Sequence, residues 1–429
     1  MTGSARKWGI GRTILGGILG LLLGSILAGC AGWEPPRIDL PAIPWLNQGG
    51  DPTPQVEALS LWVWDEGPER QAALEQALAQ FQQAHPDTAV SLTVLDDYAT
   101  RLQAALERGQ PPDLFLVDGF RFPQLADAGH LAPAQDRLDP PDDFYPQLVQ
   151  AFTLDGTPYC RPREVRTLAL VVNRDALAEA GLQPPATWEE LRRAAELLSD
   201  PNGNAFGLIL APDLSRWLPF LFQAGGRLFD EEGRLALDSP QALQALNFYL
   251  QLFRDNVAGQ PAESLSSWAG EALGKGKGAM TLEGNWIVPY LAAEFPDLAY
   301  QVAPLPQGPG GRGTVAFTSC YAVAQASPRQ ELAFQLANFL TGPEVMAEWP
   351  PDGAAMPSRL SLAPGWRQAF PALVPFLDGV AEARVWQLPP GQENVLPVFN
   401  RRMLQLFAAE IEPEDLLFAV MQAAGSQER

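Results

Sequence analysis

The sequence contains few of the residues that most often build catalytic and metal centres. Its 429 residues include two histidines, His85 and His130, and three cysteines. The sequence therefore has almost no residues from which to build a histidine-rich metal site or a Ser-His-Asp triad. We expect neither a metal nor a cofactor.

Positive charge is also scarce. The chain carries 29 lysines and arginines against 50 aspartates and glutamates, which leaves a formal net charge of −21 at pH 7. An acidic surface of this size repels nucleic acid and anionic lipid headgroups. We therefore expect no nucleic acid partner, and the charge favours solubility.

The uncharged apolar run near the N-terminus is too short to span a membrane. Ile14–Ala28 has fifteen residues and follows three basic ones, whereas a spanning helix needs about 20. The residues where this run ends, Leu27-Ala28-Gly29-Cys30, resemble the lipobox of bacterial lipoproteins, in which the chain is cut before the cysteine and the cysteine is lipidated. We interpret residues 1–29 as a lipoprotein signal peptide and Cys30 as the lipidation site. An uncleaved anchor is the alternative.

Residues 31–56 contain six prolines and few apolar clusters. Such a segment is extended and semi-rigid, so we interpret it as a linker between the membrane surface and a globular part. Two cysteines remain in that part, Cys160 and Cys320. In an oxidising compartment they could pair or stay as two separate buried thiols, and the sequence leaves both possibilities open.

Strand and helix patterns alternate through the globular part. Ala58–Trp64 and Asp113–Val117 are apolar runs typical of buried strands, and Pro68–Ala84 has apolar residues at helical spacing. Capping signals at Thr187 and Ser239 predict two further helix starts. This alternation predicts an α/β protein with helices on both faces of a sheet.

Several motifs follow one another in the order seen in a known family. They are QALAQFQQAHPDTAVSLTVL, PPDLFLVDG, LALVVNRDALAEAGLQPPATWEEL, GKGAMTLEGNW and ELAFQLANFLTGPE. This order resembles the sugar-specific extracellular solute-binding proteins of ABC importers, the relatives of maltose-binding protein. The resemblance implies a two-lobed periplasmic-binding-protein fold of type II, in which each lobe is a mixed sheet flanked by helices and three crossings join the lobes. It places lobe 1 at 57–163 and 320–350, and lobe 2 at 167–314 and 357–429.

The candidate ligand-binding residues lie in loops after strands and in the second lobe. Carboxylates accept bonds from sugar hydroxyls, arginine donates them, and aromatic rings suit the apolar faces of sugars. The resemblance implies that Trp286 is a stacking platform. The full set is Trp64, Asp65, Glu66, Asp118, Arg166, Trp217, Asn285, Trp286, Tyr321 and Phe399. For most of these a structural role is the alternative, such as core packing for the rings, a turn for Asp118 and an ion pair for Arg166.

The resemblance also implies a function. We expect a monomeric, lipid-anchored binding protein outside the cytoplasm that captures a sugar, oligosaccharide or polyol and delivers it to an ABC transporter permease. Binding of a polyamine or other cationic solute through Asp65, Glu66 and Asp118 is an alternative. An extracellular carbohydrate-active enzyme and a receptor for a sensor kinase are others.

Substitution Cys30→Ser tests the lipobox interpretation. The serine lacks the thiol that carries the lipid, so the variant should stay unprocessed or unlipidated and leave the membrane fraction. Metabolic labelling with a fatty acid and fractionation measure both effects. Normal lipid labelling and membrane retention of the variant would contradict the interpretation.

Overall fold

The computed structural model describes residues 57–200, 202–203, 205–349 and 353–425. The predicted signal peptide, Cys30 and linker lie outside these residues, as does part of the third crossing. Within the described ranges, no helix is both long and apolar enough to cross a bilayer.

The described residues form twelve strands. They are β1 (Glu57–Trp64), β2 (Thr88–Leu95), β3 (Leu114–Asp118), β4 (Thr153–Leu154), β5 (Thr157–Pro158), β6 (Pro162–Asn173), β7 (Phe206–Ile209), β8 (Ala258–Gly259), β9 (Gly278–Gly284), β10 (Tyr300–Ala303), β11 (Thr314–Val323) and β12 (Ala383–Val385). The predicted strands at 58–64 and 113–117 are confirmed to within one residue.

Sixteen α-helices accompany the strands in the same part of the chain. They are α1 (Pro68–Ala84), α2 (Tyr98–Glu107), α3 (Phe122–Asp127), α4 (Pro146–Ala151), α5 (Arg174–Glu179), α6 (Trp188–Leu198), α7 (Leu214–Gln223), α8 (Pro240–Arg254), α9 (Ala269–Gly274), α10 (Ile287–Glu294), α11 (Gln330–Leu340), α12 (Pro343–Ala347), α13 (Ala363–Ala369), α14 (Val374–Gly379), α15 (Val395–Phe407) and α16 (Pro413–Gly425).

Side-chain caps fix the first residues of helices α6, α7 and α8. Thr187 accepts a hydrogen bond from the Glu190 amide, and Ser239 accepts one from the Ala242 amide. Asp213 caps α7 in the same way. Each cap satisfies a backbone N–H that has no partner inside the helix. The two caps predicted from the sequence are therefore confirmed.

Ten strands form one mixed sheet in the order β2-β1-β3-β11-β6-β9-β7-β8, with β10 beside β6 and β12 beside β11. The pairs β1–β2, β1–β3, β7–β8 and β7–β9 are parallel. The pairs β3–β11, β11–β6 and β6–β9 are antiparallel. The predicted α/β class is confirmed, and the antiparallel pairs lie in the middle of the sheet.

The two longest central strands run from one part of the sheet into the other. The first half of β6 pairs with β11, and its second half pairs with β9 and β10. At its other end β11 continues into pairing with β3. A third passage lies alongside, because Val165 and Met356 form an antiparallel bridge. These are the crossings of a two-lobed protein.

Separate hydrophobic cores lie at the two ends of these crossings. One core contains side chains from β1, α1, β3 and α11, such as Leu61, Phe115 and Phe334. Another is built from β6, α7, α8 and α15 and includes Tyr249. A smaller cluster around Phe376 packs on the crossings themselves. Each end of the sheet therefore buries its own apolar surface, and the crossing strands connect two packed bodies.

A disulfide joins Cys160, just before β6, to Cys320 in β11, with Cα atoms 5.9 Å apart. Both residues are buried in the first core. The question that the sequence left open is answered by this bond, which ties two crossing strands together at one end.

Replacing both cysteines by serine should lower the free energy of unfolding by about 2–5 kcal/mol, since the bond closes a long loop in the unfolded chain. Denaturant titration of the wild type and the double variant measures the difference. Reduction with dithiothreitol should destabilise the wild type and leave the variant unchanged. Equal stability of the oxidised wild type and the variant would refute this expectation.

Candidate functional site

Five charged side chains meet where β6 enters the crossing. This charged cluster consists of Glu66, Arg70, Arg163, Glu164 and Arg166. Glu164 Oε2 lies 3.0 Å from Arg166 Nη2 and 3.3 Å from Arg70 Nη1. Glu66 Oε1 pairs with Arg163 and lies 3.4 Å from Arg166 Nη2. The cluster links α1 and its preceding loop to the first crossing strand.

Burial and the ion pairs together shift the pKa values of Glu164 and Arg163. Burial alone would raise the pKa of Glu164, but the attraction of Arg163, Arg166 and Arg70 outweighs it and holds this pKa far below its usual range. Burial likewise opposes the charge of Arg163, yet Glu164 and Glu66 raise the pKa of Arg163 well above its ordinary value. Both groups therefore stay charged at neutral pH.

Arg163 brings four of the predicted site residues together. Its guanidinium contacts the rings of Trp64 and Tyr321 at 5.9 and 5.6 Å from their centroids, and it also pairs with Glu66. Arg166 joins the group through Glu66. Tyr321 is 1% exposed, so it lies beneath the arginine. Trp64, Glu66 and Arg166 are half-buried and reach the surface.

Four half-buried aromatic rings form a second feature, the aromatic wall. It consists of Phe120, Phe317, Trp386 and Trp286. The rings of Phe120 and Trp386 stack at 5.4 Å, Trp386 lies 6.4 Å from Phe317, and Phe317 meets Trp286 edge-on at 5.3 Å. Phe317 is paired with Arg166 across β11 and β6, so the wall adjoins the charged cluster.

The Asp118-Gly119-Phe120 loop places one end of this wall. Asp118 accepts a hydrogen bond from the Arg121 amide at 2.8 Å, which closes a turn ahead of α3. A side chain at Gly119 would crowd Val385 at 3.3 Å, and the glycine therefore allows β3 to end close to β12. Burial raises the pKa of Asp118. The turn proposed as the alternative role of Asp118 is present in the structure.

Trp286 is held at the other end of the wall. It follows β9 and precedes α10, and its ring lies so close over Gly284 that a Cβ there would be 2.2 Å from it. Its indole N–H donates to Glu283 Oε2 at 3.1 Å. Arg216 pairs with the same oxygen at 2.8 Å and lies 5.6 Å from the Trp286 ring. Trp286 is therefore fixed in one orientation from three sides.

Three other predicted residues are completely buried. Trp217 and Phe399 contact each other, with ring centroids 4.9 Å apart, inside the core that contains Tyr249. Asn285 donates to the Gly353 carbonyl at 3.1 Å. The structure thus places Trp217 and Phe399 in the core and gives Asn285 a contact to the third passage.

Asp65 is exposed, in contrast to its neighbour Glu66. Its carboxylate accepts a hydrogen bond from the Gly67 amide at 2.8 Å. This is the role of a turn residue ahead of a helix, which the sequence offered as its alternative.

Eight residues of the site were not among the predicted ones: Arg70, Phe120, Arg163, Glu164, Arg216, Glu283, Phe317 and Trp386. Phe317 lies between the predicted lobe segments 167–314 and 320–350, so its position at a crossing could have indicated a role in the site. Trp386 follows β12, a strand of three residues, which is too short to recognise by pattern. Arg216 and Glu283 meet only in the folded chain, where α7 and the end of β9 are brought within reach of an ion pair, and no sequence spacing indicates that contact.

Two packed bodies joined by crossing strands, with rings and ion pairs at the crossing, define a protein that encloses a ligand between its lobes. The chain belongs to the bacterial extracellular solute-binding protein family, whose sequence profile matches residues 64–347, more than half of the chain. Members of this family work outside the cytoplasm.

Individual relatives agree with this assignment. A protein of Brucella abortus (strain 2308) named as a binding protein is 24% identical over 366 residues, which are 80% of this chain and 86% of that protein. The maltotriose-binding protein of Pyrococcus abyssi is 26% identical over 249 residues, 57% of this chain and 53% of the relative. An ABC substrate-binding protein of Listeria monocytogenes, solved in complex with cycloalternan, has the same fold, with a TM-score of 0.75, 22% identity and coverage of 86% of this chain and 98% of that one. These relatives are binding proteins.

Substitution Glu164→Gln should destabilise the protein by about 3–5 kcal/mol, because it leaves buried arginines without a counter-charge. Glu410→Gln, at an exposed position, is the control and should change stability little. The folded-state pKa of Glu164 is depressed. The contribution of this carboxylate to the free energy of unfolding is therefore complete above its unfolded pKa of about 4.3, and it is lost as the pH falls further.

The difference between wild type and Glu164→Gln should accordingly be constant above about pH 5 and shrink below about pH 4. Urea titrations at several pH values measure it. A difference that grows as the pH falls would show that the ion pairs do not stabilise the fold.

Proposed function

We propose that this chain captures a sugar, oligosaccharide or polyol between its lobes and delivers it to the permease of an ABC transporter. In this proposal Cys30 carries the lipid anchor, residues 31–56 form the tether, and the protein acts as a monomer. The observation that carries the proposal is the aromatic wall beside the charged cluster. Apolar ring faces and charged hydrogen-bonding groups side by side match the two surfaces of a sugar.

We propose Trp64, Glu66, Asp118, Arg166 and Trp286 as ligand-contacting residues, because each of them has exposed surface at the crossing. The rings of Phe120, Phe317 and Trp386, together with Arg216, complete this set. Trp217, Phe399, Tyr321 and Asn285 then support the site from beneath. The names of the relatives, which bind maltotriose or were solved with cycloalternan, support a carbohydrate ligand.

The proposed mechanism is hinge closure of lobe 1 (57–163 and 320–350) on lobe 2 (167–314 and 357–429). A ligand that touches both lobes binds the closed state more tightly than the open one, and so it shifts the population. Moving a mostly open population to a mostly closed one needs about 5.5 kcal/mol of differential affinity. Ring stacking and charge-assisted hydrogen bonds are of the right size to supply it.

The arrangement of the acidic residues favours this proposal over a cationic ligand. Glu66 and Glu164 are already paired with three arginines, so the cluster offers a cation no surplus of negative charge. Asp65 and Asp118 each accept a backbone hydrogen bond within a turn. For the same reason we propose binding without catalysis, since Asp65, Glu66 and Asp118, the candidate carboxylates for a glycosidase, each have a structural partner.

Substitution Trp286→Ala should weaken carbohydrate binding at least tenfold without unfolding the protein, because it removes a ring of the wall and leaves the crossing strands intact. The ligand is first found by thermal shift against sugars, polyols and polyamines, since binding to the native state raises Tm. Calorimetry then compares the variant with the wild type. Unchanged affinity would remove Trp286 from the site, and stabilisation by polyamines alone would replace the carbohydrate proposal.

A further inference from the structure

Glu283 is a buried carboxylate behind the Trp286 end of the aromatic wall. It is the residue before the last one of β9, and 1% of its surface is exposed, so it lies too deep to touch a ligand. Burying a carboxylate is costly unless charged and hydrogen-bonding partners replace the lost water. The partners of Glu283 therefore indicate what it does for the site.

Three donors converge on one oxygen of this carboxylate. Glu283 Oε2 accepts from Arg216 Nη2 at 2.8 Å, from the Trp286 indole N–H at 3.1 Å and from the Gly284 amide at 3.3 Å. Two of these donors belong to the proposed ligand-contacting residues. One buried oxygen therefore joins the positions of Arg216 and Trp286.

Arg216 depends on this carboxylate for its counter-charge. Within the described ranges, Glu283 is the acid that forms an ion pair with Arg216. The other terminal nitrogen of Arg216 donates to Ser215 Oγ at 2.8 Å, and Ser215 in turn donates to Asp213 at 2.6 Å. The guanidinium so held lies 5.6 Å from the centre of the Trp286 ring.

The other close contacts of the Trp286 ring are apolar. The ring packs on the backbone of Gly284, and it meets Phe317 edge-on at 5.3 Å. Apolar contacts have no preferred direction, whereas a hydrogen bond has one. The bond to Glu283 is therefore the contact that selects a single orientation of the ring.

We propose that Glu283 is a positioning residue for the ligand site and makes binding sensitive to acid. When ionised, it holds the Trp286 ring and Arg216 in the orientation that binds the ligand. When protonated, it loses the ion pair with Arg216 and its grip on the ring, and the ligand is released. This inference rests on the proposed function and adds a regulation of the same site.

Charged groups reach Glu283 from α7 and its cap. Arg216 attracts the carboxylate, and Asp213 repels it. In the sheet Glu283 is paired with Ala169 of β6, which carries no charge. Arg216 is therefore the cation on which the ionised state of Glu283 depends.

Two other helices near β9 carry titratable side chains. On α9, Glu271 and Lys275 form an ion pair with each other. On α8, Tyr249 acts on Arg216, but burial raises the pKa of the Tyr249 phenol well above its ordinary value. Tyr249 therefore stays neutral, and neither helix supplies a group that would titrate in place of Glu283.

The direction of the pH effect follows from burial. Burial raises the pKa of Glu283 and outweighs the attraction of Arg216. A carboxyl group of raised pKa is ionised above that pKa and takes up a proton as the pH falls through it. Ligand affinity should therefore be complete near neutral pH and decrease in mild acid.

The first experiment imitates the protonated state. Glu283→Gln has nearly the shape of the carboxylic acid and no charge, and it should weaken the probe about tenfold at neutral pH. The probe is whichever of maltose, maltotriose, mannobiose and mannotriose binds the wild type most tightly in calorimetry. Glu294→Gln removes an exposed carboxylate at the end of α10. It is the matched control and should bind the probe like the wild type.

A double-mutant cycle distinguishes positioning from a general structural role. Trp286→Phe keeps an aromatic ring but has no N–H for Glu283 to hold, and it should weaken the probe about three- to tenfold. Adding Glu283→Gln to this variant should weaken the probe by a further factor of about two, compared with about tenfold in the wild type. Equal factors in both backgrounds would overturn the inference, because Glu283 would then not act through Trp286.

The third experiment measures affinity between about pH 7.5 and pH 5, above the range in which an unperturbed glutamate titrates. The wild type should lose affinity relative to Glu283→Gln as the pH falls, so that the two proteins become alike in acid. Burial also raises the pKa of Asp118, but Asp118 is present in both proteins and its effect cancels in the ratio. A ratio that stays constant over this range would overturn the acid sensitivity.

The same profile remains informative if Glu283→Gln does not fold. In that case the wild type is compared with Trp286→Phe, which should lose most of the pH dependence because Glu283 has no indole to hold. An unchanged pH dependence in Trp286→Phe would overturn the inference.

The outcomes separate this inference from the proposed function. If the wild type binds none of the four probes, the proposed function fails, and the inference falls with it. If the wild type binds a probe while Glu283→Gln folds and binds it equally well, the proposed function stands and only the role of Glu283 is refuted.

Discussion

The charged cluster is the constraint on which the rest of the site depends. Arg70, Arg163 and Glu164 are buried against a crossing strand, and Glu66 and Arg166 are half-buried beside them. An unpaired charge there would be very costly. The mutual pairing of these residues therefore fixes the positions of the loop after β1, the start of α1 and the first half of β6 relative to one another. Trp64 and Tyr321 pack on Arg163, so the aromatic surroundings of the cluster are set by the same pairs.

The aromatic wall adjoins this cluster along β6 and contributes a different kind of surface. Ion pairs hold directional hydrogen-bonding groups in place, while the rings offer flat apolar area with little side-chain freedom to lose. Glu283 and Arg216 repeat the same arrangement on a smaller scale around Trp286. Rings oriented by ion pairs therefore recur on both sides of the crossing.

The disulfide restrains the crossing strands at one end, and we expect bending at the other end. Cys160 and Cys320 join β6 and β11 at the end where both pack into the first core. Beyond that point the two strands diverge, β6 towards β9 and β11 towards β12. Bending between the lobes is therefore expected to concentrate on the second-lobe side of the bond, close to Arg166 and Phe317.

The sequence alone determined the alternation of strands and helices, the helix caps at Thr187 and Ser239, and the family. These depend on neighbours within a few residues or on the order of motifs, and both can be read along the chain. Most site residues predicted at strand ends also reached the crossing, because the ends of neighbouring strands meet at one edge of a sheet.

Only the tertiary structure decided which rings are exposed and which charges pair. Trp217 and Trp286 were both predicted to bind ligand, yet Trp217 is completely buried and Trp286 is half-buried. Arg163 meets Glu66 across 97 positions of sequence, and Trp386 joins the wall through a strand of three residues. Such contacts depend on how distant elements pack against each other, and that packing leaves no local pattern in the sequence.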